Sequence, residues 1–209
     1  MFCVFTLPLL IQIKQIINIT RIMKTTFKIS ILSLALAALS LGVNAQSTKS
    51  TSNNGVRLSI GAEAGIPVGD FNNAYNANVG GSLQVDLPVA TDLFVTVNAG
   101  YNTFLGKTVN GFSVTNIQLI PAKAGLKYFA TPSLYVQAEA GASFVANKKD
   151  IGATNSTLFT YAPQIGYLFP VGGKSYIDAG VRYEGNTALV DNGSTLGFVG
   201  LRVAYAFGL

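Results

Sequence analysis

The amino-acid sequence predicts an all-β protein: an eight-stranded antiparallel up-and-down transmembrane β-barrel preceded by a cleavable signal peptide. Three observations carry this. Beyond Val56 the chain runs in short segments in which apolar residues alternate with small or polar ones, the period of a strand whose two faces meet different surroundings. Tight turns and longer polar loops follow one another between these segments. The composition joins 49% hydrophobic residues and 22 Gly to only 11% charged residues, whereas soluble domains carry roughly a quarter.

The N-terminal region reads as an export signal. From Met23, Lys24 and Lys28 form a positive start, Ile29 to Leu41 an apolar stretch, and Val43-Asn44-Ala45 a small-residue cleavage motif. This predicts a signal peptide over 23–45, cut between Ala45 and Gln46. The apolar stretch is short of the ~20 residues that a spanning helix needs. Residues 1–22 read as an overextended start, with Met23 the true initiator. Residues 46–55 are polar and aperiodic, a flexible leader, and 56–209 form the barrel.

Charge and rare residues narrow the function classes. Four of the 14 basic residues (Lys14, Arg21, Lys24 and Lys28) precede Ala45, leaving ten against 9 acids in the mature chain. The net charge of +5 therefore does not survive export, and no nucleic-acid partner is expected, since a basic face would have to remain. The single cysteine, Cys3, lies in the removable region, so no disulfide, thiolate nucleophile or Cys ligand is expected. With no His, Ser-His and His-metal chemistry is excluded. Neither an enzyme nor a cofactor is expected.

Eight strands are predicted at about 56–66, 78–88, 93–104, 115–129, 134–146, 158–169, 175–186 and 195–208. The last is the clearest: Val199, Leu201, Val203, Tyr205 and Phe207 share one face, and Gly200, Arg202, Ala204 and Ala206 the other. Asp92, Thr131-Pro132-Ser133 and Val171-Gly172-Gly173-Lys174 mark tight turns, while 67–77, 105–114, 147–157 and 187–194 read as longer loops. Short periplasmic turns and longer outer loops are the pattern of outer-membrane barrels, and an even strand count leaves both termini periplasmic.

Aromatic residues gather at strand ends. Tyr128, Phe129, Tyr135, Tyr167, Phe169, Tyr176, Tyr205 and Phe207 lie near the short turns; Tyr101, Phe104, Phe144, Phe159, Tyr161 and Tyr183 lie toward the long loops. Two such belts predict interfacial girdles.

If the apolar face meets lipid, the other face fills the barrel. By alternation it carries Arg57, Lys123, Lys127, Arg182 and Arg202 against Glu63, Asp86, Glu139, Asp178 and Glu184. Enclosed charges are costly unless paired, so a balanced set predicts a lumen ion-pair network. The same face carries Gly61, Gly65, Gly80, Gly100, Gly125, Gly141, Gly166, Gly180 and Gly200, which leave room for long side chains from opposite strands. Glu139 is expected to hold Lys123 or Lys127; acid–base work by Glu139 with Glu184 is the competing use of those carboxylates. A barrel of eight strands is just wide enough for side chains to fill, so a packed ionic core is expected. A narrow channel for ions or small solutes is the alternative. A soluble lipocalin-type barrel would invert the two faces.

These residues resemble the small outer-membrane β-barrel domain proteins of Gram-negative bacteria. The resemblance rests on the export motif Val43-Asn44-Ala45, on Pro67-Val68-Gly69-Asp70-Phe71, on Ile120 through Tyr128 (IPAKAGLKY), and on the terminal strand Gly200 through Phe207. It spans roughly 56–209, and its motifs specify fold and export to the outer membrane rather than function, since members of the family differ in role. A non-enzymatic structural or surface-interaction role is the leading expectation, with membrane lipid and lipopolysaccharide as surroundings. The terminal strand, with Gly200, Tyr205 and Phe207, resembles the signal read by the barrel-assembly machinery, although Gly208 and Leu209 follow the aromatic that usually ends it. In the loops, Phe71, Tyr75 and Phe112 are candidate contacts for an unidentified surface ligand, with Lys107, Lys148 and Lys149 available for its phosphates.

Overall fold

The computed structural model describes residues 55–109, 111–191 and 193–209. The export signal with Ala45 and Gln46, and the leader as far as Asn54, lie outside the described residues.

The chain forms β1 (Arg57–Val68), β2 (Tyr75–Ala90), β3 (Leu93–Gly106), β4 (Thr108–Val109), β5 (Phe112–Ser113), β6 (Ile117–Phe129), β7 (Leu134–Val145), β8 (Thr157–Gly172), β9 (Ser175–Asn186) and β10 (Leu196–Gly208). Eight of these close an antiparallel barrel in the order β1-β10-β9-β8-β7-β6-β3-β2. Closure gives each of these eight strands a partner on both sides and removes the free edge that an open sheet exposes. The short strands β4 and β5 pair only with each other, inside the loop between β3 and β6.

The register fixes the stagger of the wall. From Val68, successive partners are Gly197, Gly185, Tyr161, Ala140, Ala124, Val97 and Val85, returning to β1 at Leu58, ten residues from the start. Such a stagger over eight strands tilts them by about 40° from the barrel axis.

Strand identities follow the sequence reading, and several ends differ from it. The segment 67–77, expected as a loop throughout, is partly wall: Pro67 and Val68 end β1, residues 75–77 begin β2, and the 3-10 turn Gly69–Asn73 with Ala74 separates them. In a barrel a strand continues as long as either neighbour pairs with it. β1 keeps β10 as far as Val68↔Gly197, although its pairing with β2 stops at Gly65↔Asn78. β8 likewise runs past the expected end to Gly172, through an irregularity after Pro170. Gly172 and Gly173 then take φ of 129° and 57°, left-handed values that a side chain resists, and the chain reverses into β9.

Alternation sorts the residues. Ile60, Leu83, Val97, Leu126, Val136, Ile165, Val181 and Leu201 project outward and are exposed, an apolar band of the kind that membrane barrels present to lipid. The alternate positions are buried inside.

Candidate functional site

Among the described residues, charged side chains are concentrated away from solvent in the barrel interior. All ten residues assigned inward by alternation are buried: Arg57, Glu63, Asp86, Lys123, Lys127, Glu139, Asp178, Arg182, Glu184 and Arg202. Nine of them join through ion pairs. Lys123 Nζ lies 2.5 Å from Glu184 and 3.8 Å from Glu139. Arg182 pairs with Glu63 and stands 3.4 Å from Glu184. Lys127 Nζ bridges Asp86 at 2.8 Å and Asp178 at 3.2 Å. Arg202 links the two groups, at 3.6 Å from Glu63 and 3.7 Å from Asp178.

Arg57 sits among rings at the end of the barrel that carries the short turns. Its guanidinium carbon is 4.4 Å from the Phe94 ring centre and 4.8 Å from that of Phe129. A cation over an aromatic face is attracted by the ring quadrupole, more strongly where water is excluded.

Neutral polar groups on the same face complete the network, and the sequence reading did not single them out. Ser82 Oγ donates to Glu63 at 2.6 Å and accepts from Arg202 Nε at 3.0 Å. Arg202 Nη2 donates to Ser59 Oγ, Gln84 Nε2 to Asp86, and Thr96 Oγ1 to Glu139. Tyr135 donates to Asp178 at 2.5 Å and accepts from Gln164 at 2.7 Å. The signal that could have found them was parity: Ser59, Ser82, Gln84 and Tyr135 share a strand face with a charged residue already marked, and Thr96 and Gln164 lie on the inward parity of β3 and β8. Satisfying the remaining lone pairs and protons is what makes a buried ion pair tolerable.

Glycine provides room where the network is crowded. Tyr135 is registered opposite Gly166, and a Cβ on Gly166 would strike the phenol ring. The missing side chain lets Tyr135 lie flat against β8 and reach Asp178.

Apolar side chains close in on both sides of the charged layer. On the turn side Phe94, Phe129, Tyr135 and Leu168 cluster, with Tyr176 packed against them. On the loop side Phe71, Tyr75, Phe104, Ile117, Leu119, Val145, Leu158, Leu196 and Phe198 form a larger cluster. This corrects two expectations. Phe104, Phe129, Tyr135 and Tyr176 do not belong to outward girdles, because they fall on the inward parity of their strands. Tyr128, Tyr167, Phe169 and Tyr205 at one end, and Tyr101, Phe144, Phe159 and Tyr161 at the other, are the outward rings that are exposed. Phe71 and Tyr75 are likewise not free loop contacts: Phe71 folds inward from the 3-10 turn, 5.1 Å from Phe104 between ring centres.

Of the other loop residues, Phe112 on β5 stands 80% exposed. Lys107 Nζ donates to the Asn72 carbonyl, which ties the loop after β3 to the one after β1. In the terminal strand, Tyr205 faces outward, Phe207 is registered between Leu58 and Ser175, and Gly200 faces inward opposite Gly65 and Arg182.

Chemically, the interior holds charge in neutralising contact: Glu139 and Glu184 share Lys123 between them, so both carboxyl groups are engaged with a cation across the lumen. Among the described residues no group of three His, Cys, Asp or Glu is placed to hold a metal ion.

No family model and no curated protein sequence matches this chain. Solved structures do. The outer-membrane protein AlkL, determined by solid-state NMR in DMPC lipid bilayers, is 17% identical, with a TM-score of 0.51 over 78% of this chain and 94% of AlkL. OprG of Pseudomonas aeruginosa is 12% identical (TM-score 0.47) over 75% of this chain and 97% of OprG. Ail of Yersinia pestis, in a phospholipid bilayer nanodisc, is 19% identical (TM-score 0.49) over 74% of this chain and 99% of Ail. At such identities the likeness is one of fold: the closed eight-stranded barrel of small outer-membrane proteins.

Proposed function

We propose that the mature protein is an integral outer-membrane barrel with a non-enzymatic structural or surface-interaction role, its lumen closed by the ion-pair network. The observation that carries this is the layered interior: a connected set of nine paired charges between two apolar clusters. Water and ions crossing such a lumen would have to separate paired charges and then pass two apolar layers, each step unfavourable in a confined low-dielectric space. The apolar outward band supports the membrane setting, and the barrel it resembles was determined in lipid bilayers.

In this reading the export signal is cut between Ala45 and Gln46, both termini face the periplasm, and the barrel-assembly machinery reads the terminal strand through Gly200, Tyr205 and Phe207. Membrane lipid and lipopolysaccharide surround the wall. A surface ligand would meet the loops, where Phe112 is the most exposed large apolar side chain among the described residues.

Fractionation and flux test the proposal together. The protein is expected in the outer-membrane fraction, with a folded gel band that shifts on boiling. Liposomes carrying the purified barrel should take up small sugars no faster than empty ones. Recovery from the soluble periplasm would defeat the membrane reading, and sugar uptake above the empty-liposome rate would favour the alternative, a narrow solute channel.

A further inference from the structure

We infer that the barrel holds a cluster of bound water on the loop side of its ion-pair network, at Asn78, Asn102, Ser143 and Thr160. These four lie on β2, β3, β7 and β8, and each is at most 1% exposed. Both amide atoms of Asn78, Oδ1 of Asn102, Oγ of Ser143 and Oγ1 of Thr160 have no hydrogen-bond partner in the protein. That is unusual, since buried side-chain polar atoms in native proteins are overwhelmingly paired.

The register shows what lies beside them. Asn78 is opposite Gly65, Asn102 opposite Gly80, Thr160 opposite Gly141, and Ser143 opposite Pro121. Each polar group therefore adjoins a position that sends little or no side chain into the lumen; Asn102 leans into the room that Gly80 leaves. On their other sides Asn78, Asn102 and Ser143 meet Phe104, Leu119 and Leu158, members of the loop-side apolar cluster. These three mark the boundary between charged and apolar layers, and Thr160 is registered on its other side with Asn186, whose amide atoms likewise lack a partner in the protein; space and unpaired polarity coincide there.

The chemistry of the set selects water. Asn78 both donates and accepts, Ser143 and Thr160 can do either, and the free atom of Asn102 only accepts. A water molecule offers two donors and two acceptors and meets this mixture, whereas a cation would satisfy only acceptors and an anion only donors. Buried water of this kind bridges two to four polar partners and is retained as part of the fold.

This inference goes beyond the closed-lumen reading and does not depend on it. A crystal structure at a resolution that shows ordered water tests it directly. Solvent density is expected at about 2.7–3.2 Å from the unpaired atoms of Asn78, Ser143 and Thr160. In the near-isosteric double variant Ser143→Ala/Thr160→Val, the density at those two positions should be lost and that at Asn78 kept. The inference is overturned if the four side chains hydrogen-bond one another with no solvent between them. It is also overturned if anomalous scattering identifies an ion there, or if the density survives in the double variant. A conducting barrel would defeat the proposed closure and leave this result standing, because the water is read from density alone.

Discussion

Lys123 on β6 meets Glu184 on β9 at 2.5 Å, with β7 and β8 intervening in the wall and both side chains out of reach of solvent. A bond of this kind crosses the lumen and ties distant strands, so removing one partner strands the other in a medium that cannot solvate it. Glu184→Ala should therefore cost about 3–5 kcal/mol. Glu139→Ala should cost less, since Lys123 keeps its nearer partner and Glu139 stands 3.8 Å away. Urea unfolding in lipid vesicles measures both. A Glu184→Ala midpoint equal to wild type would remove the network from the account of stability.

The two faces of the wall predict opposite responses. Val97 and Val181 are 49% and 46% exposed on the outward face. Arg at either should cost about 2–4 kcal/mol if the site lies near the bilayer midplane. Asn98, one residue along and buried, donates to Gln84 at 3.3 Å, and Asn98→Ser should cost no more than about 1 kcal/mol. A slip of one residue exchanges the faces, so equal tolerance of Arg at Val97 and at Asn98 would contradict the register.

Tyr135 and Gly166 form a fitted pair. Gly166→Ala pushes a methyl group into the ring and should cost roughly 1–3 kcal/mol. In a Tyr135→Ala background the same change should cost little, because the obstructing ring is gone. A double-mutant cycle by thermal unfolding checks this; additive losses would mean that the ring does not rest on Gly166.

Most of the wall was legible because alternation is a local property. Val181 and Arg182 declare their faces without reference to any other strand, and the same holds for all ten inward charges. Pairing was less accessible. Lys127 binds Asp86 and Asp178, and Glu139 pairs with Lys123 instead, because partner choice depends on the ten-residue stagger of the whole barrel. The layering was also hidden. Position near a turn groups Phe129 and Tyr135 with Tyr128 and Tyr167, yet their parity matches that of Lys127 and Glu139. Strand ends such as Val68 and Gly172 are set by how long a neighbour continues to pair, which Gly and Pro signals in one strand do not disclose.

Planar-bilayer recording of the purified barrel tests the closed lumen most directly. Wild type should insert without reproducible unit conductance, because Lys123, Arg182, Lys127 and Arg202 are held by carboxylates across the lumen between two apolar clusters. Reproducible unit steps in wild type, with ion selectivity altered by Glu184→Ala and stability unchanged, would contradict the account and identify a channel.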